Sequence, residues 1–382
     1  MKRKFYFTTT IANTLFFFKG QCKLWKENFD VCAVSSNKDK LLLFAKEENV
    51  SYKYIPMHRN ISVVNDVLCL FRFIWLFITE RPYIVHGNTP KASMLSMVAA
   101  WITHRPVRIY MCHGLRYQTT NGSLRHILMF MEKLSCRCAT NVICVSDGVK
   151  NQLIEDHLCQ ATKAKVIRYG TAGGIDIDHF SRESINNEIN TREKLNIPNS
   201  SFVFCFVGRI VKDKGINELV NAFDKLSKEK ENIHLLLVGP EENDLDPIST
   251  QSRMIIESNE RILALGRQND VRPYLAASNA FVLPSYREGV GMVILEANAM
   301  GIPAIASDII GCRDVIGPGI NGELIPSQDE DSLYEKMKDW EENRQKVESM
   351  ARNCREYVCS RYSSNDVASA YYKEYKRLCN NL

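Results

Sequence analysis

Phe202-Val-Phe-Cys-Phe-Val-Gly208-Arg209-Ile-Val-Lys-Asp-Lys214-Gly215 reads as a strand buried on both faces, closed by a glycine and an arginine. A lysine follows five residues later, at the start of a helical pattern. Further along, Leu283-Pro-Ser-Tyr-Arg-Glu288-Gly-Val-Gly-Met-Val-Ile-Leu-Glu296 repeats that grammar, with seven residues between its two glutamates. Two cations and two carboxylates are thus expected at the ends of parallel-type strands, where open α/β sheets collect their ligands.

On either side of a polar tract, short apolar runs alternate with helical patterns, the signature of doubly wound α/β sheets. In the first half the expected strands are Lys4–Thr8, Val31–Ser35, Tyr52–Ile55, Ile84–His86, Arg108–Cys112, Asn141–Val145 and Lys165–Arg168. Asn65–Thr79 and Leu124–Cys138 give the clearest helical patterns between them. The alternation lapses over Gly170–Ser201, a polar tract with Gly173-Gly174 and Asn186-Asn187 that has the composition of a linker. It then resumes with strands at Phe202–Val207, Ile233–Val238, Ile262–Leu265, Ala280–Leu283, Pro303–Ala306 and Glu323–Ile325. Helices are expected near Gly215–Lys228, Gln268–Ala277, Val290–Met300 and Asp331–Glu342. The expectation is two Rossmann-like domains, 1–170 and 201–363, with a linker over 171–200 and a cleft between them. A terminal helix, 364–382, is expected to pack back on the first domain.

With 45% apolar and 24% charged residues, the 382-residue chain has an ordinary globular composition. Its 13 cysteines form no Cys-x-x-Cys pair, which argues against a zinc site or disulfide frame and for reduced thiols of a cytoplasmic protein. No secretory signal is evident. The longest apolar run, Val67–Ile78, is interrupted by Arg72 and falls short of the roughly twenty residues of a spanning helix. Residues 1–180 hold 24 Lys+Arg against 13 Asp+Glu, and residues 181–382 hold 25 against 31. That basic first half, with Phe71, Phe73, Trp75 and Phe77, suits anionic headgroups or a lipid-linked diphosphate, although a solvated basic face and core packing explain the same features. No nucleic-acid recognition motif accompanies the charge.

A diphosphate enters a low-dielectric crevice only if its charge is neutralised. Arg209 offers a planar fork and Lys214 a point charge, next to the positive end of a helix. Glu288 lies in the loop after a strand, and Glu296 one to two turns into the next helix, roughly 9 Å along its axis. On that spacing Glu288 meets a hexose and Glu296 accepts from ribose hydroxyls, while Gly289 and Gly291 let backbone amides approach phosphate, and Gly208 and Val290 complete the expected donor-binding set. His113 closes a strand in Tyr110-Met-Cys-His-Gly114. Asp176-Ile-Asp178 and Asp244-Leu-Asp246 have the spacing of metal-binding triplets, but Arg209 and Lys214 already supply the countercharge, so no metal is expected.

These segments, with Arg81-Pro-Tyr-Ile-Val-His86, His113-Gly-Leu, Leu236-Leu-Val-Gly239 and Gly311-Cys-Arg313, resemble glycosyltransferase family 4, of the two-Rossmann GT-B architecture. The likeness is nearest to the branch that extends undecaprenyl-diphosphate-linked sugars in O-antigen, capsule and glycan synthesis. It implies retaining transfer of a hexose or N-acetylhexosamine from a nucleotide sugar, usually UDP-linked, to a lipid-linked saccharide, with no required cofactor. His113, Arg209, Lys214 and Glu288 would be catalytic, and Glu296 would hold the ribose. The first loop, Thr8-Thr-Thr-Ile-Ala-Asn13, departs from the family's glycine pair, leaving Thr10 and His86 as acceptor-side candidates. The resemblance further implies a cytoplasmic enzyme, peripheral to the anionic inner leaflet. A nucleotide-sugar epimerase of the same architecture and a non-catalytic sugar-nucleotide-binding assembly factor are the rival readings.

Overall fold

A computed structural model describes residues 2–60, 62–185, 191–242 and 246–380. Asn186-Asn187 of the polar tract, Asp244 of the second triplet and the last two residues of the expected terminal helix lie outside the described residues.

The chain begins with β1 (Arg3–Ile11), α1 (Gln21–Asn28), β2 (Phe29–Ser36), α2 (Lys38–Glu48), β3 (Ser51–Tyr54), α3 (Val63–Glu80) and β4 (Ile84–Gly87). It continues through α4 (Pro90–Ile102), β5 (Val107–Cys112), α5 (Gly122–Cys138), β6 (Asn141–Cys144), α6 (Asp147–Glu155) and β7 (Ala164–Val166). After α7 (Thr191–Lys194) come β8 (Phe202–Val207), α8 (Ile216–Glu229), β9 (Ile233–Val238), α9 (Thr250–Ser258), β10 (Ile262–Gly266) and α10 (Arg272–Ala276). The remainder is β11 (Ala280–Leu283), α11 (Met292–Ala299), β12 (Ala304–Ser307), β13 (Gly322–Ile325), α12 (Glu330–Glu342), α13 (Arg344–Tyr362) and α14 (Ser364–Asn380).

Two compact units form, one from residues up to Gly174 together with α14, the other from Ile175 to Ser363. The first holds a seven-stranded sheet in the order β3-β2-β1-β4-β5-β6-β7, the second a six-stranded sheet in the order β10-β9-β8-β11-β12-β13. All strand pairs within both sheets are parallel. Each chain path therefore reverses direction once, between β1 and β4 and between β8 and β11, and creates a switch point at those strand ends.

Continuous apolar strands fit sheets covered by helices on both faces. In β8 every side chain from Phe202 to Phe206 is buried, and the run sits in the core of the second unit with Leu219, Phe223 and Leu235. β1 is different because its carboxyl end is polar. Thr8, Thr9 and Thr10 are buried, and their hydroxyls pair with Ser96, Ser35 and Thr89 at 3.0, 2.9 and 2.8 Å, which removes the cost of desolvating them.

The polar tract 171–200 divides at Gly174. The Ile175 N–H donates to the Tyr362 carbonyl at 2.7 Å, and Ile177 and Phe180 pack on the second core, so this stretch belongs to a folded unit and does not run free as a linker. α14 belongs to the first unit: Tyr371 donates to the Thr171 carbonyl at 2.7 Å, and Lys165 forms an ion pair with Glu374.

α11 is held by a buried amide pair. Asn321 Nδ2 donates to Asn298 Oδ1 at 2.7 Å, and Asn298 Nδ2 donates to the Ile302 carbonyl at 2.8 Å; both side chains are fully buried. Asn321→Leu strips Asn298 Oδ1, the Gly317 N–H and the Val315 carbonyl of their Asn321 partner and should cost about 2–4 kcal/mol, measured as a lowered urea midpoint with unchanged m-value. An unaltered midpoint would contradict this role.

Candidate functional site

The second switch point gathers the cations. At the end of β8, Gly208 donates its N–H to the Val238 carbonyl at 2.9 Å, and Ile210 donates to the Pro240 carbonyl at 2.9 Å. This pairing extends the sheet edge and lifts Arg209 beside the loop after β9. There its Nη1 lies 2.8 Å from Glu242 Oε2, a pair that is more than a third exposed on both sides. A 3₁₀ turn over Lys212–Lys214 follows and ends at Gly215, which has φ +70°. A Cβ at Gly215 would lie 2.0 Å from the Pro284 carbonyl oxygen, so only glycine lets the β8 loop meet the loop after β11.

Those two loops are stitched together. The Tyr286 N–H donates to the Asp213 carbonyl at 3.0 Å, and Arg287 Nη2 reaches Asp213 Oδ2 at 3.2 Å. Tyr286 also donates its hydroxyl to Glu218 Oε1 at 2.6 Å. Held this way, Lys214 Nζ and Glu288 Oε1 stand 2.5 Å apart, with side chains only 20% and 15% exposed. Gly311 presses on the same turn from the loop after β12. The backbone of Glu288 and Gly289 leaves no room for a Cβ at Gly311, which would sit 2.9 Å from the Glu288 carbonyl oxygen, and the Gly311 carbonyl accepts from the Gly291 N–H at 3.2 Å. Among the described residues no side chain caps the amino end of α8, and its first-turn amides add the positive end of a helix to this site.

Glu296 lies on α11, one turn past Gly291, with Val290 packed against the core at the loop before it. It is partly buried and makes no hydrogen bond or ion pair among the described residues. Burial alone pushes its carboxyl up to about 7. A cavity of about 350 Å³ opens at the ends of β9 and β10, lined by Ile210, Gly239, Glu241, Ile248, Arg253 and Gly266. The structure thus brings Gly208, Arg209, Lys214, Glu288, Gly289, Val290, Gly291 and Glu296 to neighbouring strand ends of one sheet. The carboxylate partner Glu242 and the spacer Gly311 were not among the residues expected at the site.

The remaining candidates belong to the first unit. His113 follows β5, half-buried against the rings of Phe17 and Phe18 at 5.9 and 6.4 Å. Burial holds its imidazole down at about 4, and its Nε2 is buried without a partner among the described residues. Such an atom calls for an explanation, and a substrate hydroxyl would provide one. His86, expected on the acceptor side, is instead fully buried. It packs on Phe5 and Phe18, and Nε2 lies 3.2 Å from the Tyr375 hydroxyl. Burial, and secondly the neighbouring His113, depress it to about 3. Thr10 also turns inward: its hydroxyl pairs with Thr89 and accepts from the Ala92 N–H at 3.1 Å, fastening the start of α4.

The metal-spaced carboxylates have local partners. Asp176 Oδ1 accepts from the His179 N–H at 3.0 Å, and Asp246 Oδ2 accepts from the Asp213 N–H at 2.6 Å. Among the described residues no cluster of His, Cys, Asp and Glu has the geometry to hold a metal ion.

Buried titratable groups set a pH dependence. His86 and His113 bind protons less readily folded than unfolded, so their contribution is complete above about 6.5 and is lost as pH falls towards 4 and 3. Glu132 and Glu296, both pushed up to about 7 by burial, act oppositely, and their contribution fades as pH rises from about 4.5 to 7. His86→Gln should therefore flatten the fall of unfolding free energy between pH 6 and 4 by about 1.4 kcal/mol per pH unit, read from urea titrations. An unchanged slope would mean that His86 is not held neutral.

Comparison with known proteins converges on one family. Residues 187–357 match the model for glycosyl transferases group 1, and residues 23–172 match that for glycosyltransferase family 4. The capsular polysaccharide biosynthesis glycosyltransferase CapM of Staphylococcus aureus is 33% identical over 364 residues, covering 95% of this chain and 94% of that protein. An Escherichia coli UDP-Gal:alpha-D-GlcNAc-diphosphoundecaprenol alpha-1,3-galactosyltransferase is 28% identical, over 88% of this chain and 86% of its own. Among solved structures, Anabaena Alr3699/HepE in complex with UDP and glucose superposes with a TM-score of 0.79 at 19% identity, over 98% of this chain and 100% of that one. That last likeness bears on the fold alone, which is of the GT-B type. By the two domain models and by the relative that is one-third identical along its length, the chain belongs to the glycosyltransferases, with a family 4 amino-terminal domain and a group 1 carboxyl-terminal domain.

Proposed function

We propose that the chain is a retaining glycosyltransferase that moves a hexose or N-acetylhexosamine from a UDP-sugar to an undecaprenyl-diphosphate-linked saccharide in surface-polysaccharide assembly. The observation that carries this reading is the convergence of Arg209, Lys214 and the amino end of α8 on one switch point, opposite Glu288. Cations at this position neutralise the diphosphate as the glycosidic bond breaks, which is where negative charge develops. Arg209 and Lys214 are each held by a carboxylate, and an incoming diphosphate exchanges those partners for its own oxygens.

In this reading Glu288 positions the donor sugar, Glu296 accepts from the ribose, and Gly208, Gly289, Val290 and Gly291 line the diphosphate. His113, neutral by burial, offers its unpartnered Nε2 to a sugar hydroxyl. The acceptor class rests on the relatives, two of which act in capsule assembly or on a diphosphoundecaprenol sugar. A lipid-linked acceptor also implies work at the cytoplasmic face of a membrane. No described helix is long and apolar enough to cross one; in this reading the chain attaches at the periphery.

Incubation with a panel of UDP- and GDP-sugars and a lipid-diphosphate saccharide tests the reading. Product with the donor's anomeric configuration supports it, whereas an epimerised nucleotide sugar formed without acceptor would replace it. Lys214→Ala should still fold, though less stably because Glu288 loses its counter-charge, and should lower turnover by about two to three orders of magnitude; near-normal transfer would reject the assignment. Donor affinity should weaken as pH drops below about 7, where the Glu296 carboxylate is lost. Glu296→Gln should bind more weakly and lose that dependence, as calorimetry would show.

A further inference from the structure

The outer face of the helices α3, α4 and α5 is apolar where a water-facing layer is normally polar. α3 exposes Val64, Leu68, Phe71, Trp75 and Ile78 on successive turns, with Trp75 70% and Phe71 62% exposed. Its opposite stripe, Cys69, Phe73 and Phe77, fills the core. α4 packs against both α3 and α5 and is mostly buried, showing Trp101 and Ile102 only at its end. α5 continues the exposed apolar surface with Leu124, Ile127 and Phe130.

The charges on this layer have one sign. Of its acids, Asp66 is paired with Lys91 at 2.7 Å, and Glu80 with Lys4 and Lys53 at 2.7 and 2.6 Å. Glu132 is buried and bonded to the Tyr110 hydroxyl. Arg72, Lys133 and Arg137 are exposed and have no ion pair among the described residues. The unit that carries these helices holds 27 Lys+Arg against 13 Asp+Glu, a net charge of +14. A second copy meeting this face would bring like charge to like, whereas an anionic bilayer brings the complement.

We propose that this face is a membrane-docking surface, with α3 lying in the bilayer plane. Phe71, Trp75 and Ile78 enter the boundary between headgroups and acyl chains, while Arg72, Lys133 and Arg137 meet anionic headgroups. The surface gives the lipid-linked-acceptor reading its partner and rests on it for purpose, though binding to vesicles needs no transfer. The 18-residue α3 is about 27 Å long, so the stripe is an extended strip of contact and not a single anchor.

Flotation of the full chain with phosphatidylcholine vesicles, with and without phosphatidylglycerol, tests the proposal. The chain should float with phosphatidylglycerol, more weakly with phosphatidylcholine alone, and less as salt rises. Phe71→Glu with Trp75→Glu, and separately Arg72→Glu with Lys133→Glu, should each weaken binding by about tenfold or more. Circular dichroism and thermal midpoint should stay unchanged in both, and the charge pair leaves the apolar stripe intact should the first pair fail to fold. Unaltered flotation of both variants would overturn the proposal. So would a wild-type dimer that floats with neither vesicle and is split by the Phe71 and Trp75 changes, since the face would then belong to a second copy. Charge-dependent flotation without transfer to any lipid-linked sugar would keep the surface and remove the acceptor reading.

Discussion

Cationic groups collected at a strand switch point constrain the second unit. Lys214 and Arg209 follow a strand with no polar side chain in its buried run, and both need a counter-charge close by. Glu288 and Glu242 supply it, 2.5 and 2.8 Å away, so the local fold is satisfied by pairs that a diphosphate can take over. The more buried pair, Lys214–Glu288, is the one whose geometry the backbone fixes most firmly. Gly215 permits the loop contact, the Asp213–Tyr286 hydrogen bond locks it, and Gly311 braces the turn from the other side. Losing one member of so enclosed a pair leaves a charge stranded, which ties stability and chemistry to the same residues.

The first unit solves a different problem. Its switch point is polar inside, with four threonines and two serines satisfied by one another and His86 Nε2 beside the Tyr375 hydroxyl of α14. His86 Nδ1 and His113 Nε2 both lack a partner among the described residues, and burial keeps both rings uncharged, but only His113 is half-buried where His86 is fully enclosed. A neutral imidazole aimed at an unmet bond suits hydrogen bonding to a sugar hydroxyl and does not suit holding an anion.

Much of this was legible in the chain. Every expected strand appears, the central ones because buried parallel strands are apolar runs bounded by turn residues, and the seven residues between the glutamates put Glu288 on a loop and Glu296 on the following helix. Boundaries moved where backbone chemistry intervened. The helix expected over Gln268–Ala277 is only Arg272–Ala276, since Pro273 fits a first turn and Asp270 accepts from the Arg272 N–H at 3.0 Å. Gly291 likewise delays α11 by bonding to Gly311. What sequence could not reveal was pairing at a distance. Glu242 lies 33 positions from Arg209, and Tyr375 lies 289 positions from His86, so neither the counter-ion nor the inward turn of that histidine has a local signal. Thr10 misled for a similar reason: a hydroxyl at a strand end looks available until its partner Thr89 is found 79 positions away.

The chemistry turns on where the diphosphate sits. A crystal structure of the chain soaked with UDP would test it most directly. Phosphate oxygens should lie within hydrogen-bonding distance of Arg209 and Lys214, with Glu242 and Glu288 released from those cations and Glu296 on the ribose. UDP bound elsewhere on the chain, with both ion pairs intact, would contradict it.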